Sequence, residues 1–543
     1  MPKSPSADPP LPPLTAQQQA VVEHSGDLKV EAVAGAGKTT TLIGYARHRP
    51  QAPILYLAFN RAVRLHAQQK FAQAGLPNVR IETAHSLAFA SVSRSRKLEV
   101  APAGWKAVDL FKALELERKI ADRRTGIALC QHVLLRTAHF CNSTLAKLDE
   151  ADYTPTLPDK AAKEFARHHA RAIDDLTRRF MQRMYEGNLP VTHDFYLKLF
   201  HYQQPRLPYA HVLLDEGQDA SPVMLDLFAR QAGEKIIVGD PHQQIYSWRG
   251  AVNSLAAMTW PTRALSQSFR FPPSIAGLAL EVLRLKRHLG QPQLPALEGC
   301  GTGKGAFTSF AVLARTNMGL IEAAIEQLGE RPRLYFEGNL NAYLYAAGGQ
   351  ASLYDVLFLY AGQPRKARHE LVRGFQDFAD FEQYASDIAD PDLRLMCRVV
   401  KKYKTDLFRL LDELRALQTE RPEEADLLLL TVHRAKGLEY DSVSLADDFL
   451  TPALFFRTLN DLGPELSGPA LTEELNILYV AITRARRRVE LPESLASLLP
   501  QEPPPPATGT GSEGGGPGLK KKAPTQGAAA RIGRCWAVGG DQP

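Results

Sequence analysis

Cysteine is scarce in this sequence, and the patterns of a disulfide framework or a metal site are missing. The 543 residues include five cysteines, and no two of them stand at the short spacing of a redox pair or a zinc site. They are Cys130, Cys141, Cys300, Cys397 and Cys535. This usage is typical of a reduced, intracellular protein rather than of a secreted one.

Long apolar runs are missing as well. No stretch approaches the roughly 18 to 20 apolar residues that a membrane span requires. The N-terminus, MPKSPSADPPLPP, is rich in proline where a signal peptide is apolar. We therefore expect a soluble cytoplasmic protein that is not exported and has no membrane partner.

Charge of one sign is not in large excess. Lys and Arg number 65 against 59 Asp and Glu, and a net charge of +6 neither requires nor opposes a nucleic-acid partner. Hydrophobic residues make up 44% and charged residues 23%, which excludes disorder across the whole chain. The length favours three or four domains at roughly 150 residues each.

The two ends of the chain are poor in large apolar residues. Residues 1–13 are rich in proline, and residues 501–543 are rich in proline and glycine. Such segments bury too little apolar surface to offset the conformational entropy of ordering. We expect a disordered leader over 1–13 and a disordered tail over 501–543.

Between these ends, short apolar runs typical of buried parallel strands alternate with helical patterns. The runs are residues 30–34, 54–59, 211–216, 235–240, 310–315 and 442–447. The alternation predicts an α/β fold with parallel sheets flanked by helices. Two intervals, about 91–190 and about 330–425, carry amphipathic helical patterns instead, so we expect helical insertions there.

A phosphate-binding loop is the strongest local signal. The segment AVAGAGKT follows an apolar run and opens a helical pattern, which is the context of a P-loop. Small residues let backbone N–H groups wrap the phosphates of ATP, Lys38 adds a positive charge, and the Thr39 hydroxyl is a ligand for Mg²⁺. The candidate nucleotide-binding residues are Ala34, Gly35, Ala36, Gly37, Lys38, Thr39 and Thr40.

Acidic and polar residues follow two further apolar runs. HVLLDEGQD places Asp215 and Glu216 side by side, so that one carboxylate can hold Mg²⁺ and the next can deprotonate the attacking water. KIIVGDPHQQ places Gln243 where it can sense the γ-phosphate. A phosphoryl-transfer kinase would not need the second carboxylate, so this pattern favours ATP hydrolysis.

Aromatic residues come directly after this segment. Tyr246 and Trp248 alternate with polar residues and precede Arg249, an arrangement suited to stacking the bases of a single strand. Core packing at a strand end is the alternative for each aromatic residue.

These segments, taken in order, resemble the motifs of the UvrD/Rep-type superfamily 1 DNA helicases. The similar stretches are LTAQQQAVV (Q motif), AVAGAGKTT (I), LAFN (Ia), TAHSLA (Ib), LLDEGQD (II), VGDPHQQIYSWRGA (III), LSQSFRFP (IV), TVHRAKGLEYDSV (V) and EELNILYVAITRARRRV (VI). A closer resemblance is to the F-box DNA helicase branch, through ILYLAFNRAVRLHAQQKF and the motif III stretch. Only 13 residues precede the Q motif, so we expect no F-box and no ubiquitin-ligase adaptor role.

The resemblance implies two RecA-like P-loop domains with ATP between them. It places domain 1A at 14–262 with the 1B insertion at about 91–190, and domain 2A at 263–500 with a short 2B-like insertion at about 330–425. It makes Arg270 and Arg484 arginine fingers that act with Lys38, Asp215, Glu216 and Gln243 in catalysis. It also assigns Gln18 and Phe269 to the adenine and Glu439 to the ribose, and it includes Gly437 among the nucleotide-binding residues.

On the DNA side, the resemblance carries over residues of motifs Ia, Ib, III and V. They are Phe59, Asn60, Thr83, His85, Tyr246, Trp248, Arg249 and His433. Their types suit stacking and phosphate contacts that do not depend on sequence. For His85 and His433, a satisfied polar role near a domain interface is the alternative.

We expect an ATP- and Mg²⁺-dependent 3′ to 5′ DNA helicase and translocase in repair, recombination or replication restart. Its substrates would be single-stranded and tailed duplex DNA, with repair or recombination proteins as further partners. The protein would be a monomer or weak oligomer, associated with the nucleoid if bacterial. A translocase that strips bound proteins and a non-catalytic, nucleotide-responsive DNA-binding scaffold are the alternatives, and RNA is the weaker substrate.

Overall fold

The computed structural model describes most of the chain between the two proline-rich ends. The described ranges are 12–101, 104–120, 122–157, 160–246, 254–291, 293–346, 351–387 and 390–499. Residues 1–11 of the predicted leader and the whole predicted tail therefore lie outside the described residues. Among the described helices, none combines the length and the apolar character needed to cross a lipid bilayer.

The first sheet consists of six described strands, all paired in parallel. They are β1 (Leu28–Ala32), β2 (Ile54–Ala58), β3 (Val79–Thr83), β4 (His211–Leu214), β5 (Glu234–Gly239) and β6 (Thr262–Leu265). Their order across the sheet is β3-β2-β4-β5-β1-β6. The carboxyl ends of β4, β5 and β1 consequently lie side by side, which is where open α/β sheets bind ligands.

The second sheet has five described strands, again all parallel. They are β9 (Phe310–Ala314), β10 (Leu334–Phe336), β11 (Leu427–Thr431), β12 (Tyr440–Leu445) and β13 (Ala485–Glu490), in the order β10-β11-β9-β12-β13. A short parallel pair, β7 (Gln267–Ser268) with β8 (Glu298–Gly299), lies outside both sheets. The predicted α/β class with parallel sheets is therefore confirmed.

Helices cover both sheets. Along the first sheet they are α1 (Ala16–Val22), α2 (Lys38–Arg47), α3 (Arg61–Gln73), α10 (Pro222–Ala229) and α11 (Ser254–Ala257). Along the second they are α12 (Pro273–Arg284), α13 (Asn317–Glu326), α19 (Val432–Ala435) and α20 (Pro452–Ile482). Gly463, with φ 72° and ψ 164°, breaks α20 and is followed by a proline, so its two parts differ in direction.

Two groups of helices interrupt the strand order. Between β3 and β4 lie α4 (Ala84–Val92), α5 (Ala107–Ala113), α6 (Arg123–Asn142), α7 (Lys160–His168), α8 (Ala170–Tyr185) and α9 (His193–Tyr202). Between β10 and β11 lie α14 (Leu353–Tyr360), α15 (Glu370–Arg373), α16 (Phe378–Asp387), α17 (Pro391–Tyr403) and α18 (Leu407–Ala416).

Candidate nucleotide site and single-strand path

The loop after β1 is shaped by two glycines with positive φ. Gly35 and Gly37 both have φ 75°, a conformation that side chains oppose. A Cβ on Gly35 would lie 2.7 Å from the Cβ of Arg270, and one on Gly37 would lie 2.8 Å from Nε2 of Gln18. Gly37 directly precedes α2, whose first residue is Lys38. The first-turn N–H groups of α2, including those of the predicted residues Thr39 and Thr40, therefore form an anion site.

Lys38 lies against the acidic residues that follow β4. Its Nζ is 2.9 Å from Oε1 of Glu216. Burial alone lowers the pKa of Lys38, but the carboxylates of Glu216, Asp215 and Asp240 more than offset this, and the pKa is raised. The side chain is consequently a permanent cation at the mouth of the loop.

The two carboxylates after β4 have different surroundings. Asp215 accepts hydrogen bonds from the Tyr56 hydroxyl and, through Oδ1, from the backbone N–H of Glu216 at 2.9 Å. Burial and the Glu216 charge raise the pKa of Asp215. Burial acts in the same direction on Glu216, but the positive charges of Lys38 and Lys436 outweigh it and lower its pKa.

The donor set fits a magnesium ion. Oxygen ligands are those that Mg²⁺ prefers in proteins. Thr39 lies in the first turn of α2 and Asp215 follows β4, and the contact between their chain neighbours Lys38 and Glu216 brings these two ends together. Burial of Asp215 next to a second carboxylate leaves negative charge that a divalent cation would neutralise.

The loop after β5 connects the acidic cluster to the second sheet. Asp240 Oδ2 accepts from Nε2 of Gln243 at 2.8 Å and from the Tyr479 hydroxyl at 3.1 Å. The Oε1 atom of Gln243 accepts from Nη2 of Arg484 at 3.3 Å. Arg484 is only 2% exposed, and burial together with the nearby Arg270 charge lowers its pKa to about 9. It remains a cation at neutral pH.

Arg270 and Glu439, predicted on the γ-phosphate and the ribose, bind each other in this structure. Nε of Arg270 donates to Oε1 of Glu439 at 2.8 Å, and Nη1 donates to the Thr483 carbonyl at 2.8 Å. Oε2 of Glu439 also accepts from Nε of Arg486 at 3.1 Å. Gly437, nearby in sequence, has φ 91° and open space where a Cβ would stand.

Gln18 and Phe269 flank the loop on the predicted adenine side. Gln18 is buried, donates from Nε2 to the Ala36 carbonyl at 3.2 Å and accepts from the Thr15 N–H at 3.0 Å. In this structure its amide therefore holds the phosphate-binding loop. Phe269 is 50% exposed, and its N–H donates to the Gly35 carbonyl at 3.0 Å.

Three predicted DNA contacts lie in a row that connects the two halves of the chain, with Phe59 and Tyr246 stacked and His433 tilted against Tyr246. The rings of Phe59 and Tyr246 are stacked, with centroids 5.6 Å apart, and His433 lies 5.8 Å beyond Tyr246. The Tyr246 hydroxyl donates to the His433 carbonyl at 3.3 Å. His433 Nε2 is 3.1 Å from the Ile245 carbonyl, and burial lowers the pKa of this histidine to about 4. In this arrangement His433 is a neutral, hydrogen-bonded residue between the two halves.

Of the other predicted DNA contacts, three have partners within the structure and two lie outside the described residues. Asn60 caps α3 by accepting from the Val63 N–H at 2.9 Å, and Thr83 caps α4 through the Ser86 N–H at 3.0 Å. His85 Nε2 is 3.6 Å from Oδ1 of Asp194. Trp248 and Arg249 lie outside the described residues.

Sequence reasoning missed a buried ion pair in the middle of the site. Lys436 donates to Oδ2 of Asp219 and, at 2.6 Å, to the Gln243 carbonyl. Asp219 is 3% exposed, and burial raises its pKa to about 6 against the pull of Lys436. Both residues lie inside stretches that the sequence marks as motifs, HRAKG and DEGQD. Only their separation of more than two hundred residues concealed the pair.

Comparison with known proteins gives the following similarities. Residues 14–258 match the family model of the UvrD/REP helicase N-terminal domain, and residues 369–491 match that of the UvrD-like helicase C-terminal domain. The chain is 31% identical to F-box DNA helicase 1 of Gallus gallus over 534 residues, which covers 90% of this chain and 50% of that protein. It is 29% identical to F-box DNA helicase protein 1 of Schizosaccharomyces pombe over 544 residues, covering 92% and 60%.

A bacterial protein is similar over a larger share of its own length. The putative ATP-dependent DNA helicase YjcD of Bacillus subtilis is 24% identical over 609 residues, which covers 88% of this chain and 78% of that protein. The chain spans about half the length of the chicken relative and three-fifths of the yeast one.

Proposed function

The chain belongs to the UvrD/Rep-type superfamily 1 helicases, and from this premise we propose that it is an ATP-dependent DNA motor. It moves 3′ to 5′ on single-stranded DNA, unwinds tailed duplexes, and serves repair, recombination or replication restart. Domains 1A (14–262) and 2A (263–500) are the moving bodies, with 1B (about 91–190) and a short 2B-like insertion (about 330–425) attached to them.

One observation carries this proposal. Gln243 and Tyr246 lie on the same short loop after β5, three residues apart. Gln243 contacts Arg484 beside the phosphate-binding loop, and Tyr246 stacks on Phe59 on the DNA side. A shift of Gln243 therefore displaces Tyr246 through only three residues of the same loop. A motor requires such a direct link between its nucleotide site and its DNA-binding surface.

The residues of the nucleotide site have distinct proposed roles. Lys38 binds the β- and γ-phosphates, and Thr39 and Asp215 hold Mg²⁺, which supplies charge neutralisation on the phosphates. Phosphate oxygens compete with Glu216 for Lys38, because the two side chains are 2.9 Å apart in this structure. Release from Lys38 leaves Glu216 free to accept a proton from the attacking water.

Two arginines supply charge from the second sheet. Arg484 already contacts Gln243, while Arg270 exchanges Glu439 for the γ-phosphate on domain closure. Fingers of this kind contribute about 10³ to 10⁵ in rate. Because both come from beyond the first sheet, hydrolysis depends on closure, and closure moves the strand.

The test is strand separation on matched duplexes with a 3′ tail, a 5′ tail or no tail, with ATPase measured in the same buffer. Salt is held constant, since affinity for single strands falls steeply with ionic strength. We expect unwinding of the 3′-tailed duplex alone. Unwinding only from a 5′ tail would refute the direction, and DNA-stimulated ATPase without unwinding would favour the protein-stripping translocase. Absence of ATPase would favour the non-catalytic scaffold, and stronger stimulation by RNA would reassign the substrate.

A further inference from the structure

A buried lysine stands next to the loop that links the nucleotide site to the aromatic stack. Lys286 lies just after α12, in the 3-10 helix Leu285–Leu289, and is 2% exposed. None of the nucleotide or DNA contacts proposed above involves it. An ammonium group is costly to bury, and burial lowers the pKa of Lys286 to about 7. The hydrogen-bond partners of the side chain therefore identify what it does.

The Lys286 side chain joins two segments that come from different parts of the fold. Lys286 Nζ is 2.9 Å from Nδ1 of His242 and donates to Oδ1 of Asn476 at 2.5 Å. Burial and the nearby Lys286 charge lower the pKa of His242 to about 3, so the ring is neutral and Nδ1 can accept. Asn476 in turn donates from Nδ2 to the Gln244 carbonyl at 2.8 Å.

These contacts hold the loop on both sides of Gln243. His242 precedes it and Gln244 follows it, and Tyr246 comes two residues later. The loop is thereby fixed to the 3-10 helix after α12 and to α20, both in the second half, although its chain continues from β5 of the first sheet. Tyr479, one turn beyond Asn476 on α20, adds a third contact through its hydrogen bond to Asp240.

We propose that Lys286 is a positioning residue of the motor, which transmits the state of Gln243 to the Tyr246 stack by fixing the loop between them. The assignment rests on the proposed function. Lys286 contacts neither nucleotide nor DNA, and it acts through His242 and Asn476. An apolar side chain would fill the same space, but it would remove the contact with His242 and leave the loop held to α20 only through Asn476 and Tyr479.

The first test compares Lys286→Met with the matched control Lys235→Met. Lys235 is 8% exposed and donates to the carbonyls of Gln231 and Gly233, at the opposite end of β5 from the loop. For Lys286→Met we expect DNA-stimulated turnover to fall about tenfold, while basal turnover, the KM for ATP and the nucleotide-free affinity for oligo-dT stay within about twofold. For Lys235→Met we expect a lower melting temperature with the stimulation ratio unchanged.

A second variant separates positioning from folding. Lys286→Met combined with Asn476→Leu replaces both partners by apolar groups, which is often close to neutral for stability. We expect this double variant to melt near the wild-type temperature and still to lack stimulation. It should also lose the change in oligo-dT affinity that a non-hydrolysable ATP analogue causes in the wild type.

Two results would overturn the assignment. One is recovery of stimulation together with stability in the double variant; the other is a parallel loss of basal and stimulated turnover in Lys286→Met that tracks its melting temperature. A wild-type protein whose ATPase ignores DNA would instead refute the proposed function, and with it this role for Lys286.

Discussion

Glu216 is held in an unusual way for a residue proposed to accept a proton. Its backbone has φ 54°, and its carboxylate binds Lys38 at 2.9 Å and Nε2 of Gln218 at 2.6 Å. The local chain thus aims the carboxylate at the phosphate-binding loop rather than along β4. A non-glycine residue in this conformation costs free energy, and such strain is typical of functional sites.

The residue-scale prediction is the effect of Glu216→Gln. The amide keeps the shape of the side chain but cannot accept the proton, so we expect turnover to fall by about 10² to 10⁴ while binding of a fluorescent ATP analogue is retained. The matched control is Glu82→Gln, because Glu82 has the same side-chain exposure, 20% against 21%, and pairs with Arg64 outside the nucleotide site. Equal turnover in the two variants would remove Glu216 from the role of base.

At the scale of elements, isolated apolar runs in the sequence predicted strands. Strands that are short or rich in charged residues were missed. The runs at 54–59 and 310–315 correspond closely to β2 and β9. β13, ARRRVE, is an edge strand rich in charged residues, and β10 has three residues. The LLLLT of β11 is an apolar run that periodicity alone does not distinguish from a buried helix segment.

The helical insertion between β3 and β4 should be sensitive to acid through His132. This residue on α6 is stacked on Phe165, and its Nδ1 is 3.0 Å from the Tyr153 hydroxyl. Burial, together with His169, lowers the pKa of His132 to about 4. The unfolded chain, with a pKa near 6.5, binds the proton more readily, so the stability present above pH 6.5 is lost as the pH falls towards 4.

The corresponding measurement is chemical unfolding at pH 7 and pH 5. For the wild type, His132 contributes a loss of about 2 kcal/mol in the free energy of unfolding between these values. In His132→Gln the loss should be smaller by about that amount. An identical pH dependence in wild type and His132→Gln would contradict the assignment.

At the scale of the whole molecule, two kinds of ion pair connect distant parts of the chain. Arg123 and Arg124 of α6 pair with Glu370 and Asp380, which joins the two insertions, and these side chains are 40% to 46% exposed. Arg315, after β9, instead makes a two-pronged contact with Glu474 of α20, at 29% exposure for both. Solvent weakens the first kind far more than the second.

Replacing each arginine should therefore have different effects on stability. We expect Arg124→Ala to lower the free energy of unfolding by less than about 1 kcal/mol, and by still less in high salt. Arg315→Met should cost about 2 kcal/mol, because it leaves the Glu474 carboxylate partly buried without its partner. Denaturant titrations of both variants at low and high salt measure this difference, and equal costs would refute it.

The sequence by itself determined the parts of this protein that depend on neighbours in the chain. The phosphate-binding loop, the acidic pair after β4 and the polar loop after β5 follow from short segments, since a strand end places its next residues without help from elsewhere. Tertiary structure alone decided which distant groups meet: Arg270 with Glu439, Lys436 with Asp219, and Lys286 with Asn476. The partners in each pair are 169 to 217 residues apart. Their contacts depend on how two sheets and their helices pack, which no local pattern encodes.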